Sequence, residues 1–356
     1  MKKKVLVLMS GGVDSSLAAC ILKQNGYEVI GCTMRLFLCK KNISEKQCCS
    51  PEDIYIAKRT AEQIGIKHYT IDRKDIFEEY VIENFVLEYL NGRTPNPCVI
   101  CNMKIKFDEM LKFAKGLGCS YLATGHYAKI EKYNSVYYLK KGEDLTKDQS
   151  YFLYGLTQKN LPHILFPLGD YKKAEIIRMA KKLGLKAADK KESQEICFIE
   201  DTNYHKFIKS KFLGKIEKGD FVDISGKTIG IHKGLPFYTI GQRHGLGISA
   251  GHPVYVIKIN KKNNKIMLGK KEDLLNRMFI VKDLSWIISQ KKTSLTADVR
   301  IRYKHKESNA TIKLLENGKA EIIFSEPQLS ITPGQSAVFY RKDIVLGGGI
   351  IEEVIG

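Results

Sequence analysis

The stretch that most constrains the fold is Met9-Ser10-Gly11-Gly12-Val13-Asp14-Ser15-Ser16, a glycine-rich turn between two apolar segments. The apolar run Val5 to Leu8 before it predicts a buried parallel strand, and the apolar periodicity of Leu17 to Leu22 after it predicts a helix. Glycines let a ligand approach bare backbone, and the first N–H groups of a helix attract anions. The stretch therefore predicts a phosphate-binding cradle, to which Ser10, Ser15 and Ser16 contribute hydroxyl groups.

This turn has neither the Gly-Lys-Ser/Thr ending of a Walker loop nor the G-x-G-x-x-G spacing of dinucleotide-binding loops. Ser-Gly-Gly-Val-Asp-Ser-Ser instead resembles the PP-loop of the ATP pyrophosphatases, which split ATP between its α and β phosphates and pass AMP to a carbonyl oxygen. That resemblance implies ATP and Mg²⁺ as cofactors, with Asp14 near the metal ion. The alternative is a turn that merely joins a strand to a helix, which would leave the serines and the aspartate without a task.

Strand and helix signals alternate through the first half of the chain. Ser50-Pro51-Glu52-Asp53 is a strong helix start, and strands are predicted at Glu28 to Met34, at His68 to Ile71 and from Tyr121. Such alternation predicts an α/β fold with a parallel sheet, whose ligand crevice lies beyond the carboxyl ends of the strands. The glycine-rich turn, Met34 and Gly125-His126 are therefore expected to share one nucleotide site.

The later part of the chain changes character. A hairpin at Asn134-Ser135 and a helix capped by Asp170 are predicted first, followed by a short amphipathic helix at 203–212 and a glycine-rich, strand-like region. Beyond about Leu275 the apolar period is that of β-strands, with a hairpin signal at Asn317-Gly318. We predict a PP-loop domain over residues 1–205, a small central domain with β character over 206–275, and a C-terminal β barrel over 276–356.

The chain is strongly basic, with 58 Lys and Arg against 39 Asp and Glu and a formal charge of +19. Such an excess favours a polyanionic partner, although solvated lysine faces would explain it equally well. No apolar run is long enough to cross a bilayer, and the sequence starts without a cleavage-site pattern, so we expect a cytoplasmic protein without membrane contact. Nine cysteines then argue for thiols with particular chemical tasks.

Two cysteine positions stand out. Cys98-Val99-Ile100-Cys101 follows Pro97 and precedes a helix that Asn102 is expected to cap, and the helix dipole with nearby Arg93, Lys104 and Lys106 should lower a thiol pKa. A structural zinc site is the alternative, but the chain offers only Cys48-Cys49 as a second pair. Cys197 lies in a polar segment, whereas Cys20, Cys32 and Cys119 are predicted core residues; Cys39, Cys48 and Cys49 lie in a loop and have no assigned task.

Five ordered motifs together resemble the tRNA-specific 2-thiouridylases over essentially the whole chain. They are the PP-loop, Gly92-Arg93-Thr94-Pro95-Asn96-Pro97 with Cys101-Asn102, Ala123-Thr124-Gly125-His126-Tyr127, Lys147-Asp148-Gln149-Ser150, and Ser193-Gln194-Glu195-Ile196-Cys197-Phe198. The resemblance implies ATP-dependent replacement of the C2 oxygen of the wobble uridine by sulfur in the tRNAs for Lys, Glu and Gln. The enzyme would be a tRNA-uridine sulfurtransferase that adenylates the oxygen and transfers sulfur through a cysteine persulfide.

The resemblance also implies site residues. Cys197 would carry the persulfide, and Cys101 would attack it, with Asp14 as the third catalytic residue. The implied nucleotide contacts are Leu8, Met9, Ser10, Gly11, Gly12, Val13, Asp14, Ser15, Met34 and Gly125. The implied tRNA contacts are Asn96, Pro97, Cys98, His126, Lys147, Asp148, Gln149, Arg302, Tyr303 and Gln335. The remaining implied partner is a protein that donates persulfide or sulfide, and a monomer is expected.

One position departs from the family pattern, because many members have an aspartate where this chain has Cys98. Cys98, Cys101 and Cys197 would supply three thiolates, enough to hold a [4Fe-4S] cluster with one open iron, so the persulfide relay and a cluster-dependent thiolation both stay open. Another adenylating PP-loop synthetase, such as a lysidine-forming or amidotransferase-linked enzyme, is the further enzyme alternative. A non-catalytic RNA-binding protein with a relic nucleotide pocket is the alternative outside enzymes.

Overall fold

The computed structural model describes residues 2–37, 51–189, 196–199, 203–290 and 292–355. Its contacts divide the chain into two compact units. The first unit contains residues 1–81, 98–202 and 343–345, and the second contains 82–97, 203–342 and 346–356. Cys39, Cys48, Cys49 and the Ser193 to Glu195 part of the Cys197 motif lie outside the described residues.

A parallel sheet forms the centre of the first unit. The strands of this unit are β1 Lys4–Leu8, β2 Glu28–Arg35, β3 Lys67–Asp72, β4 Tyr121–Ala123, β5 Ala128–Tyr133, β6 Val136–Lys141 and β7 Ile164–Leu165. The sheet has the order β3-β2-β1-β4-β7, and every pairing in it is parallel. Residues Val5 to Leu8 of β1 are buried because helices cover both faces of such a sheet, so this part of the strand is apolar without alternation. The predicted α/β fold is confirmed.

The helices follow the predicted alternation. They are α1 Val13–Gln24, α2 Pro51–Ile64, α3 Lys74–Phe77, α4 Glu83–Leu90, α5 Pro97–Ile100, α6 Met110–Gly116, α7 Lys173–Lys182 and α8 Tyr204–Lys211. Wider π-helical turns at Glu78–Ile82 and Cys101–Glu109 link α3 to α4 and α5 to α6. Short 3₁₀ turns occur at Ser150–Leu153, Leu161–His163, Lys186–Asp189, Leu235–Phe237 and Glu272–Leu274. None of the described helices is long and apolar enough to span a membrane.

Two predicted helix caps are wrong. Asn102 does not start its helix, because the helical turns begin at Pro97, where the fixed φ of proline and its missing N–H suit the first position. The Asn102 side chain instead donates a hydrogen bond of 3.1 Å to the Phe152 carbonyl. Asp170 does not cap α7, which begins at Lys173; its carboxylate forms an ion pair of 3.1 Å with Lys129.

The second unit contains two β structures. A mixed sheet has the order β10-β11-β8-β9, with strands β8 Gly219–Val222, β9 Thr228–His232, β10 Tyr255–Asn260 and β11 Lys265–Gly269. A six-stranded antiparallel barrel follows, with strands β12 Leu275–Trp286, β13 Ser294–Arg300, β14 Ser308–Leu314, β15 Ala320–Leu329, β16 Ser336–Arg341 and β17 Ile344–Ile355. Pairing of β12 with β17 closes it and leaves no open edge. The C-terminal β barrel and its Asn317-Gly318 turn are confirmed, whereas the exact domain boundaries stay a prediction.

Candidate nucleotide and thiol site

The glycine-rich turn joins β1 to α1 and is organised by Ser15. The Ser15 hydroxyl donates to the Gly12 carbonyl at 3.1 Å and accepts a hydrogen bond from the Ser10 backbone N–H at 3.1 Å. Gly12 caps α1 in an extended conformation without a side-chain hydrogen bond, so the first turn of α1 has no side-chain cap. The Ser16 hydroxyl is buried and has no hydrogen-bond partner among the described residues. A preformed turn with uncapped helix amides suits phosphate oxygens.

Two glycines of this site are required by close packing. Gly11 has φ +74°, and a Cβ there would lie 2.5 Å from the Asp53 carbonyl oxygen at the start of α2. Gly125 follows β4, and a Cβ there would lie 2.8 Å from the backbone nitrogen of Ser15. The loops after the neighbouring strands β1 and β4 therefore meet at the carboxyl end of the sheet, where the crevice was predicted.

The end of β2 also reaches this edge of the sheet. The Met9 N–H donates to the Cys32 carbonyl at 2.8 Å, and the Thr33 hydroxyl donates to the Met9 carbonyl at 2.8 Å. Met34 follows directly and is buried, as are Leu8 and Val13. These apolar side chains are therefore packed in the interior and not exposed to solvent.

Asp14 lies in the first turn of α1 and has two partners. The Lys173 ammonium donates to both carboxylate oxygens, at 2.7 and 2.8 Å, and the Tyr127 hydroxyl donates to Oδ1 at 2.6 Å. Lys173 reaches this position because α7 packs on α1 through a shared apolar cluster that includes Leu17 and Ile176. Mg²⁺ bound with a nucleotide commonly uses one or two carboxylates together with phosphate oxygens, so Asp14 fits a Mg²⁺–ATP site.

His126 follows Gly125 and is held in an aromatic setting. Its Nδ1 lies 2.7 Å from the Thr124 hydroxyl, and its ring centroid lies 5.8 Å from those of Phe107 and Phe166. Burial, with a smaller contribution from the Lys106 cation, holds the pKa of His126 well below its ordinary value. The imidazole is therefore neutral at physiological pH, which suits stacking and hydrogen bonding rather than binding an anion.

The site cysteines differ in exposure. Cys98 is exposed in the first turn of α5, whereas Cys101 is buried one turn later, at the start of the π-helical segment. Cys197 is partly buried, in a turn closed by a 3.0 Å hydrogen bond from the Ile199 N–H to the Ile196 carbonyl. Cys20, Cys32 and Cys119 are buried, as predicted for core residues.

Packing within the first unit connects the cysteine elements to the glycine turn. Phe107 belongs to the same π-helical segment as Cys101 and contacts the His126 ring beside Gly125. Phe198, next to Cys197, packs edge-on against Phe77 at 5.6 Å between ring centroids. The π-helical turn that follows Phe77 contacts the π-helical segment of Cys101, because the Lys104 ammonium lies over the Tyr80 ring. The predicted thiol and nucleotide residues of this unit thus lie on elements that contact one another.

Two of the predicted tRNA residues in the first unit, Asp148 and Gln149, order the segment in which they lie. The Asp148 carboxylate is buried and accepts hydrogen bonds from the Gly142 N–H at 3.2 Å and the Ser150 hydroxyl at 2.9 Å. The Gln149 side-chain oxygen accepts from the Tyr127 N–H at 3.0 Å. These contacts order the segment that contains Lys147 and tie it to Tyr127, the residue before β5.

The remaining predicted tRNA residues lie in the second unit and form their own contacts. Gln335 donates to the Thr94 carbonyl at 2.9 Å and to that of Pro95 at 3.3 Å, so it orders the loop that contains Asn96. The Arg302 guanidinium donates to the Ser330 carbonyl at 2.8 Å and to the Thr332 hydroxyl. Tyr303 lies under the Arg300 guanidinium, 5.5 Å from it to the ring centroid.

Comparison with known proteins decides the family. A family model described as the tRNA methyl transferase HUP domain matches residues 3–201, the corresponding PRC-barrel domain model matches 205–270, and an aminomethyltransferase beta-barrel domain model matches 276–351. The chain is 51% identical over 355 residues to a tRNA-specific 2-thiouridylase of Clostridium tetani, covering 99% of both chains. It is 48% identical over 358 residues to one of Clostridium beijerinckii, covering all of both chains.

The chain belongs to the tRNA-specific 2-thiouridylase family. The resemblance inferred from the sequence motifs is thereby confirmed. Among solved structures, an NMN synthetase from Francisella tularensis matches with a TM-score of 0.32 and 17% identity, over 53% of this chain and 65% of that one.

A [4Fe-4S] cluster in this 2-thiouridylase would need Cys98, Cys101 and Cys197 to lie close together. No group of three or more His, Cys, Asp or Glu side chains is arranged to hold a metal ion within the described ranges, which include Cys98, Cys101 and Cys197. The structure therefore gives the cluster alternative no geometric support.

Sequence reasoning missed one residue of this 2-thiouridylase site, Lys173. It lies 159 residues from Asp14, in a stretch that reads only as the start of an amphipathic helix. Tyr127 is the last residue of the Ala123 to Tyr127 motif, but the motif does not predict its hydrogen bond to Asp14. Neither contact has a local sequence signal.

Proposed function

We propose that this chain catalyses ATP-dependent 2-thiolation of the wobble uridine in the tRNAs for Lys, Glu and Gln. The proposal rests on sequence identity of 51% and 48% to two tRNA-specific 2-thiouridylases over essentially the full length of the chain. The chain also has an intact glycine turn of the PP-loop type. The net charge of +19 suits a polyanionic substrate. A tRNA substrate also agrees with the cytoplasmic location predicted from the sequence.

The first chemical step activates the base. A carbonyl oxygen is a poor leaving group, so the C2 oxygen of uracil attacks the α-phosphorus of ATP, and pyrophosphate leaves. The turn from Ser10 to Ser15 and the amides of the first turn of α1 would hold the phosphates. Mg²⁺, held by Asp14 and phosphate oxygens, would neutralise charge on the departing pyrophosphate.

The second step delivers sulfur. The Cys197 thiol receives a sulfur atom from a donor protein as a persulfide, and the Cys101 thiolate attacks the inner sulfur atom. A Cys101–Cys197 disulfide forms and hydrosulfide leaves, which attacks C2 and expels AMP with the former carbonyl oxygen. A cellular thiol then reduces the disulfide. The partial burial of Cys197 and the burial of Cys101 are compatible with a protected transfer that loses little hydrosulfide to solvent.

Residues around the base would orient it. Wobble uridine must leave the anticodon stack before its C2 atom can meet the nucleotide, and flipped bases are commonly stacked on aromatic side chains. The neutral His126, with Phe107 and Phe166 beside it, offers such a surface next to Gly125. Asn96, Pro97, Cys98, Lys147, Arg302 and Gln335 remain proposed tRNA contacts by family resemblance.

The test is mass spectrometry of tRNA nucleosides after incubation of the full chain with unmodified tRNA, ATP, Mg²⁺ and sulfide. We expect 2-thiouridine in the three tRNAs and none when ATP is omitted. Pyrophosphate release that depends on tRNA, measured without sulfide, isolates the adenylation step. Pyrophosphate release without any 2-thiouridine would favour another adenylating synthetase, and the absence of both would favour a non-catalytic RNA-binding protein.

A further inference from the structure

The Asp14–Lys173 ion pair occupies the carboxylate that the proposed function assigns to Mg²⁺. Both oxygens of Asp14 accept hydrogen bonds from the one ammonium group, at 2.7 and 2.8 Å. The side chains are 25% and 14% exposed, so the pair is partly shielded from water. A cation that binds these oxygens closely has to compete with Lys173 for them.

The backbone of Lys173 is firmly placed, whereas its side chain is long and flexible. Its N–H donates to the Asp144 carboxylate at 3.0 Å, and α7 is packed on α1 through Ile176 and Ala180. The ammonium group also lies over the Tyr127 ring, 5.6 Å from the centroid. A lysine side chain has four rotatable bonds, so the ammonium can shift while the helix stays in place.

The location of the ammonium decides its second partner. Asp14 belongs to the first turn of α1, whose uncapped N–H groups form the predicted phosphate cradle. If the Lys173 ammonium leaves Asp14, a change of side-chain rotamer therefore brings it to the triphosphate of an ATP bound at the first turn of α1. A triphosphate supplies the negative charge that Lys173 would lose when Asp14 turns to a metal ion.

We propose that Lys173 is a nucleotide-binding residue that exchanges partners, neutralising Asp14 in the nucleotide-free protein and a phosphate of ATP once Mg²⁺ has taken the carboxylate. The exchange keeps every charge paired in both states, and Tyr127 holds the Asp14 carboxylate in position throughout. This inference rests on the proposed function, because it requires ATP to bind at the glycine turn. None of the five family motifs includes Lys173.

The experiment measures binding of a non-hydrolysable ATP analogue to the full chain by calorimetry, over a series of Mg²⁺ concentrations. Lys173→Met and Lys173→Gln are expected to weaken binding about tenfold or more, because a charge-assisted hydrogen bond to phosphate is lost. Both are also expected to lower the Mg²⁺ concentration for half-maximal binding, because Asp14 no longer has a competing cation. Lys173→Arg keeps the cation and is expected to retain most of the affinity.

Lys172→Met is the matched control, since Lys172 is the neighbouring residue and is exposed. If Lys173→Met is unstable, Lys173→Gln decides, because an amide can still hydrogen-bond to Asp14 without the charge. Wild-type affinity and Mg²⁺ dependence in the folded variants would overturn the exchange and leave Lys173 as a structural partner of Asp14. Failure of the wild-type chain to bind the analogue would instead contradict the proposed function itself.

Discussion

A Cβ atom at Gly125 would lie 2.8 Å from the backbone nitrogen of Ser15, so the loop after β4 touches the first turn of α1 directly. The contact holds two loops together that belong to neighbouring strands of the parallel sheet. Ser15 itself organises the glycine turn, through its hydrogen bonds to Ser10 and Gly12. The shape of the predicted phosphate cradle therefore depends on Gly125, which has no side chain and lies more than a hundred residues further along the sequence.

Gly125→Ala should distort the glycine turn, because the added methyl group would meet backbone atoms of Asp14 and Ser15 that cannot easily move. We expect a stability loss of about 1–3 kcal/mol and a fall in kcat/KM of roughly 100-fold, measured by thermal unfolding and pyrophosphate release. Gly116→Ala is the control, because no atom lies within 4 Å of a Cβ there and the residue is helical. Equal behaviour of the two variants would contradict the steric argument.

Cys101→Ser and Cys197→Ser should separate adenylation from sulfur transfer. Each removes a thiol that the relay requires, so 2-thiouridine formation from a persulfide donor should fall by about 10³-fold or more. Pyrophosphate release that depends on tRNA should stay close to the wild-type level, since neither thiol takes part in adenylation. Cys119→Ala, in the buried core, is the control and should keep both activities. Retained thiolation in Cys197→Ser would contradict the persulfide relay.

Cys98→Ser should distinguish the relay from a cluster-dependent route. The relay uses Cys101 and Cys197, and Cys98 is proposed only as a tRNA contact. We therefore expect nucleoside analysis to find thiolation weakened at low tRNA concentration but retained at saturating tRNA. The protein should be colourless after anaerobic purification. A cluster held by three thiolates would lose a ligand and most of its iron. Iron bound to the wild-type chain and lost from Cys98→Ser, along with activity, would support the cluster instead.

Alkylation should discriminate among the cysteines by exposure and thiolate content. Burial raises the pKa of Cys20 to about 11 and the pKa of Cys32 to about 12. At about pH 8 these thiols are therefore almost entirely protonated, and only the thiolate reacts with iodoacetamide. Among the cysteines that the structure describes, the exposed Cys98 should be modified first, as measured by peptide mass spectrometry over time. Labelling of Cys20 or Cys32 as fast as Cys98 would show that the core opens more readily than its packing implies.

His126 should remain neutral through the physiological pH range, because burial lowers its pKa well below the ordinary value of about 6.5. Below about pH 6.5, this histidine takes up a proton in the unfolded chain but not in the folded chain. The free energy of unfolding therefore falls as the pH is lowered through this range. NMR of labelled histidine should show a His126 signal that does not titrate near pH 6.5, identified by its loss in His126→Gln. The same substitution at exposed His244 checks the assignment.

Local patterns predicted a large part of the architecture. The apolar run of β1, the glycine turn and the periodicity of α1 are short-range features, and the structure confirms each of them. The Asn134-Ser135 hairpin is confirmed as well, with φ of 46° and 65° at its two central residues. The caps at Asn102 and Asp170 were wrong because a cap depends on where the preceding chain turns, and packing of the neighbouring elements decides that turn.

The sequence by itself determined the strand-to-helix cradle, the alternation that builds a parallel sheet, and the β character of the C-terminal region, because these follow from residue periodicity over a few turns or strands. Only the tertiary structure placed Lys173 on Asp14 and Gln335 on the Thr94 carbonyl, at separations of 159 and 241 residues. Such contacts depend on which helix packs on which and on how a barrel closes. No local pattern of hydrophobic and polar residues contains that information, because the same helix start would look identical beside any other partner.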